Sequence, residues 1–170
     1  MNKIVMIFLR YLITIALSVN SLWIFYIVFT PLTLYPSYFV LNAIYGASLE
    51  HSTIIINGNF ISLVDACIAG AAYFLLTALN LLTPGINIKK RMLMLMFEYS
   101  AFLIANILRI LILSMLLLNG FSYFKEAHLI SWHLISAVFV IAIWTSAVKI
   151  FKIKEIPFYS DFVCIKNLRK

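Results

Sequence analysis

The stretch MLMLMFEYSAFLIANILRILILSMLLL, residues 92–118, decides the fold. It is a long apolar run in which only Glu98 and Arg109 carry charge. As an α-helix rising 1.5 Å per residue it reaches about 40 Å, enough to cross the ~30 Å hydrocarbon layer of a bilayer with some tilt. Three more apolar stretches flank it. The first covers 4–29 and is interrupted by Arg10, Ser18, Asn20 and Ser21; the second covers 66–83, rich in small residues and stopped by Pro84-Gly85; the last covers 129–148.

Composition agrees with that reading. Of 170 residues, 64% are apolar and 11% charged, where a soluble domain has about 45–50% and about 25%. High hydrophobicity also excludes disorder. At roughly 20 residues per crossing, the length holds four or five spans and little else. The expected fold is an all-α polytopic membrane protein, one membrane domain over 1–170. It has about four transmembrane helices and a small extracytoplasmic β-hairpin. The apolar core of 4–29 is longer than the roughly 7–15 residues of a signal peptide, and Thr30-Pro31-Leu32 is a poor cleavage site, so it reads as a retained anchor.

The loop 32–65 differs in character. Residues 38–46 (YFVLNAIYG) look like a short amphipathic or re-entrant helix following Pro31 and Pro36. Residues 53–64 read as a β-hairpin, with Asn57-Gly58 supplying the positive φ angles of a tight primed turn between β-branched neighbours.

The net charge of +7 has a position as well as a size. Lys3 and Arg10 begin the chain, Lys89, Lys90 and Arg91 fill the loop between the second and third stretches, and six basic residues follow the fourth. The loop 32–65 has none, and the loop 119–128 has only Lys125. The positive-inside rule then predicts a multi-pass cell-membrane protein with both termini and a basic tail (149–170) cytoplasmic and the hairpin outside. The tail would face anionic headgroups. The charge gives no reason to expect nucleic acid.

With that orientation, Cys67, Arg109 and His133 fall on three helices in the outer half of one bundle. An arginine inside a membrane costs about 2.5–3.5 kcal/mol even on the gentler scale and marks a functional interior. Asn106, three residues earlier on the same face, is expected to hold its guanidinium. Cys67 opens the second stretch, where the partial positive charge of a helix end favours a thiolate. Such a trio suits thiol-based acyl transfer: a sulfur nucleophile, a histidine proton carrier and a cationic stabiliser or positioning group. Arg109 lies about 14 Å below the end of its run, so the site closes only if the second span starts deep or the third tilts. His128, beside Glu126, is the competing histidine and reads as a solvated or lid residue. Glu50, His51 and Asp65 form at most an outer acidic rim and, with Cys67, lack metal-ligand spacing, so no metal and no cofactor are expected. Glu98 needs its own partner, a basic residue of the inner loop or a helix terminus. Cys164 belongs to the tail, across the membrane from Cys67.

The order of elements over Tyr38–Trp144 resembles the exosortase/archaeosortase superfamily. A short helix ends in Gly46 and precedes the hairpin. Asp65-Ala66-Cys67-Ile68-Ala69-Gly70 then opens a helix, Asn106-Ile107-Leu108-Arg109-Ile110 lies within the next, and His133 opens the last. Many members have glycine two residues after the cysteine, whereas Gly70 stands three after it; the additional N-terminal spans of long exosortases are missing. The resemblance implies a short, archaeosortase-like cysteine transpeptidase with Cys67 as nucleophile, His133 as proton carrier and Arg109 as electrophilic or positioning group; Asn106, Asp65 and His128 would support them. It further implies exported substrate proteins whose C-terminal sorting signal carries a motif, a transmembrane helix and a basic tail, cleaved extracytoplasmically, with a membrane lipid or glycolipid as acceptor. The alternative is a non-enzymatic assembly or scaffold protein that pairs Arg109 with a partner helix.

Overall fold

In the computed structural model, which describes residues 3–19 and 22–168, the chain is mostly helical with one small sheet. The order is α1 (Lys3–Val19), α2 (Trp23–Tyr45), β1 (Ser48–Glu50), β2 (Thr53–Ile56), β3 (Asn59–Ser62), α3 (Asp65–Ile68) and α4 (Gly70–Leu82). Then come α5 (Ile88–Leu118), α6 (Phe124–Ile130), a π-helical turn (Ser131–Ile135), α7 (Ser136–Ile150) and α8 (Tyr159–Leu168). Three helical stretches are long and apolar enough to cross a membrane: Trp23–Tyr45, Ile88–Leu118 and the continuous Phe124–Ile150. Large apolar side chains stand exposed on their outward faces, among them Ile27, Phe39, Ile104, Ile112 and Ile141.

The boundaries differ from the sequence expectation in four places. The run 4–29 is not one helix. Leu22 adopts a left-handed conformation (φ 59°) and starts α2. Ser18 already bonds back to the Ile15 carbonyl at 2.8 Å, and polar residues of this kind compete with the helix for its backbone. Residues 38–46 are not a separate short helix, nor is 32–45 part of a loop. Instead α2 runs through Pro31 and Pro36 to Tyr45, where Gly46 (φ 68°) caps it. Its buried residues Phe25, Phe29, Thr33, Ser37 and Leu41 recur every four positions, so packing against α4 and α5 keeps the helix unbroken across two missing N–H groups. The run 66–83 breaks at Ala69 (φ 61°) into α3 and α4. The tail 149–170 is not only a basic surface: α8 docks on α1 through Asp161, whose carboxylate meets Arg10 at 2.5 Å. The side chain of Cys164 lies outside the described residues.

The hairpin forms with its Asn57-Gly58 turn (φ 49° and 81°), and β1 extends it to an antiparallel sheet of order β1-β2-β3. Ile54 and Ile56 point into the molecule and Phe60 points out. The core beneath is aromatic: Phe29 stacks on Tyr73 with centroids 3.5 Å apart, and Tyr99 and Phe102 meet Tyr73 edge-on. At the other end of α4, Arg91 donates to the Asn80 and Thr83 carbonyls and closes the helix.

Candidate active site

Cys67 sits where the sheet hands the chain to α4. Its helix, α3, is a single turn that starts at Asp65 and ends when Ala69 turns left-handed and donates its N–H to the Asp65 carbonyl at 3.0 Å. A helix so short has little dipole, so the expected help from a helix N-terminus does not apply; the long helix begins only at Gly70. That glycine has a packing reason. A Cβ there would lie 2.8 Å from the Tyr26 ring, so glycine leaves the space that this ring of α2 fills against α4.

Two side chains of α5 grip the Cys67 backbone. Asn106 Nδ2 donates to the Cys67 carbonyl at 2.9 Å and to that of Ile68 at 3.4 Å; Arg109 Nη2 donates to the Cys67 carbonyl at 3.1 Å. Three positions apart, both project from the same face of α5. Contrary to the expectation from sequence, Asn106 does not hold the guanidinium; the two residues share one acceptor. Arg109 Nη1 reaches Ser136 Oγ at 2.5 Å, and Ser136 Oγ donates to the Ser131 carbonyl at 3.3 Å. The guanidinium, 7% exposed, thus braces α3 against the start of α7. The site closes because the chain leaves the sheet as α3, which packs directly on α5.

Of the two histidines, His128 is the one that shares a cavity with Cys67. A cavity of about 70 Å³ is lined by Ile61, Ser62, Leu63, Cys67 and His128, with Ile110, Leu113 and Phe124 behind them. A smaller adjoining one has Cys67, Arg109, His128 and Trp132 in its walls. His133 lines neither. It is exposed, its Nδ1 lies 3.1 Å from the Leu129 carbonyl, and its ring leans on Trp132. His128 stands on α6 and His133 within the π turn, and the face that meets the Cys67 cavity belongs to His128. Asp65 is exposed and lines a separate hollow with Tyr26 and Trp132.

No family model, curated protein or solved structure matches the chain.

The geometry brings together Cys67, Arg109, Asn106 and His128, and leaves out His133 and Asp65. It adds Ser136 and Ser131, which sequence reasoning passed over because serines five apart mean nothing on an ordinary helix; the π turn makes them partners. Glu98 has neither the basic partner nor the helix end expected for it: it is fully buried, and among the described residues neither carboxylate oxygen has a hydrogen-bond partner. Chemically, the site offers one half-buried thiol, one imidazole on the same cavity, and a cation committed to the cysteine's backbone. Two of the five guanidinium N–H groups are used, one on the Cys67 carbonyl and one on Ser136, and among the described residues Nε has no partner.

Proposed function

We propose that the chain is a membrane-embedded cysteine peptidase of the transpeptidase type, in line with its resemblance to the exosortase/archaeosortase superfamily, with its termini cytoplasmic and Cys67 toward the extracytoplasmic side. The observation that carries the reading is the cavity shared by Cys67 and His128, with Arg109 and Asn106 fixing the cysteine's backbone from behind. His128 replaces His133 in the role of proton carrier. The Cys67 sulfur adds to the scissile carbonyl while His128 takes the thiol proton. That proton passes to the leaving amine as the C–N bond breaks, leaving a thioester on Cys67. A hydroxyl or amine of a membrane lipid or glycolipid then gives its proton to His128, attacks the thioester carbonyl and displaces the Cys67 sulfur, which takes that proton back, so the exported substrate is released in anchored form. The scaffold alternative needs Arg109 to face a partner helix, and its donors are turned inward on Cys67 and Ser136 instead.

The test is a cell strain carrying Cys67→Ala. The variant protein should insert and fold, while exported proteins with a C-terminal motif, apolar helix and basic tail keep that tail, detectable by mass spectrometry of their C-terminal peptides. Normal tail removal in that strain would sink the proposal.

A further inference from the structure

The sheet has one edge that opens into the thiol's cavity. β3 pairs with β2 alone, and among the described residues nothing pairs with its other side. The two-residue turn at Asn57-Gly58 closes on the pair Ile56 and Asn59, so the hydrogen-bonded pairs are Ile56 with Asn59 and Ile54 with Ile61. The Leu63 N–H, bonded to the Ser52 carbonyl at 2.9 Å, continues that alternation. Phe60 and Ser62 therefore turn their N–H and C=O groups away from β2, toward the open side. Proteins guard such edges with charge, proline, bulges or a covering element, and β3 (Asn59, Phe60, Ile61, Ser62) has no charge or proline. Ile61, Ser62 and Leu63, the end of this edge, form one wall of the cavity that holds Cys67 and His128.

We infer that an extended segment of the substrate adds to the free edge of β3 as a fourth strand, pairing with the Phe60 and Ser62 backbone, and that this pairing delivers its scissile bond to Cys67. The inference rests on the peptidase reading and says how the peptide is held. Complementarity selects the occupant. Alternating backbone donors and acceptors match an extended polypeptide and do not match an acyl chain, while Ile110, Leu113, Leu117 and Phe124 across the cavity suit one apolar side chain of that strand. Backbone pairing gives affinity, and the apolar wall gives selection.

The experiment follows alkylation of Cys67 in the full chain, in lipid nanodiscs, with Cys164→Ser leaving one thiol. Three probes are compared: iodoacetamide, the peptide electrophile acetyl-Val-Ala-Val-Ala chloromethyl ketone, and the same peptide with one backbone amide N-methylated. The unmodified peptide should react saturably, and N-methylation should slow it about tenfold, the factor lost with one hydrogen bond. Phe60→Pro removes an edge-facing N–H at a position where an edge strand tolerates proline; it should slow the peptide about as much and leave iodoacetamide unchanged. Phe60→Ala, which keeps the N–H, should slow the peptide far less than Phe60→Pro. Equal rates for the two peptides, or equal losses in Phe60→Pro and Phe60→Ala, overturn the docking inference and leave the peptidase reading intact. A Cys67 that resists iodoacetamide and peptide alike overturns the nucleophile assignment, and the docking inference with it.

Discussion

The double grip on the Cys67 carbonyl makes a quantitative prediction. Asn106 and Arg109 both donate to it, so either can be lost while the carbonyl keeps a partner. Each single change also removes a buried group that is already unpartnered, Asn106 Oδ1 in one case and Arg109 Nε in the other. Asn106→Leu and Arg109→Met should therefore each cost no more than about 1 kcal/mol. After Arg109→Met, Ser136 still has the Ser131 carbonyl at 3.3 Å. The double variant leaves the Cys67 carbonyl with no donor, which adds about 1–3 kcal/mol beyond the sum of the single losses. For a chain of this size 1 kcal/mol moves the melting temperature by about 2–4 °C, so a coupling near 2 kcal/mol appears as an extra fall of about 4–8 °C. Thermal unfolding of the four proteins, followed by circular dichroism in one detergent, measures it. Single losses that simply add, within about 0.5 kcal/mol, would refute the shared-acceptor geometry.

Three other outcomes follow from the same contacts. His128→Ala should lower substrate processing by about 10²–10⁴-fold, the range of a lost general acid–base group, whereas His133→Ala should leave it near wild type; tail removal scored by mass spectrometry in the two strains separates them. Gly70→Ala drives a Cβ into the Tyr26 ring, which lies 2.8 Å from that point, and should cost about 1–3 kcal/mol; Tyr26→Leu in the same chain should recover most of the loss in a melting experiment. Arg10→Met leaves the Asp161 carboxylate, 3% exposed, without its cation, a cost of about 3 kcal/mol or more. Limited trypsin digestion should then cut at Lys166 sooner than in the wild type.

Composition and run length by themselves settled what kind of chain this is. A sequence with 64% apolar residues and an apolar run at 92–118 has few ways to satisfy its backbone other than helices, and Asn57-Gly58 between β-branched residues placed the hairpin turn where it is found. The burial of Arg109 was legible too, because a cationic side chain in an apolar helix needs an interior to face. Periodicity could not say where a helix stays whole. Pro31 and Pro36 are breakers in the sequence, yet the four-residue spacing of Phe25, Phe29, Thr33, Ser37 and Leu41 against two neighbours outweighs them, while Ala69, with no breaker's chemistry, is the residue forced left-handed. The choice between His128 and His133 was likewise closed to sequence. Both lie on one helical stretch, and which of their two faces meets Cys67 depends on how that stretch sits against α5. Packing sets that placement, through the π turn and the Arg109–Ser136 contact. Sequence named the kinds of groups; the tertiary structure chose which of them share a cavity.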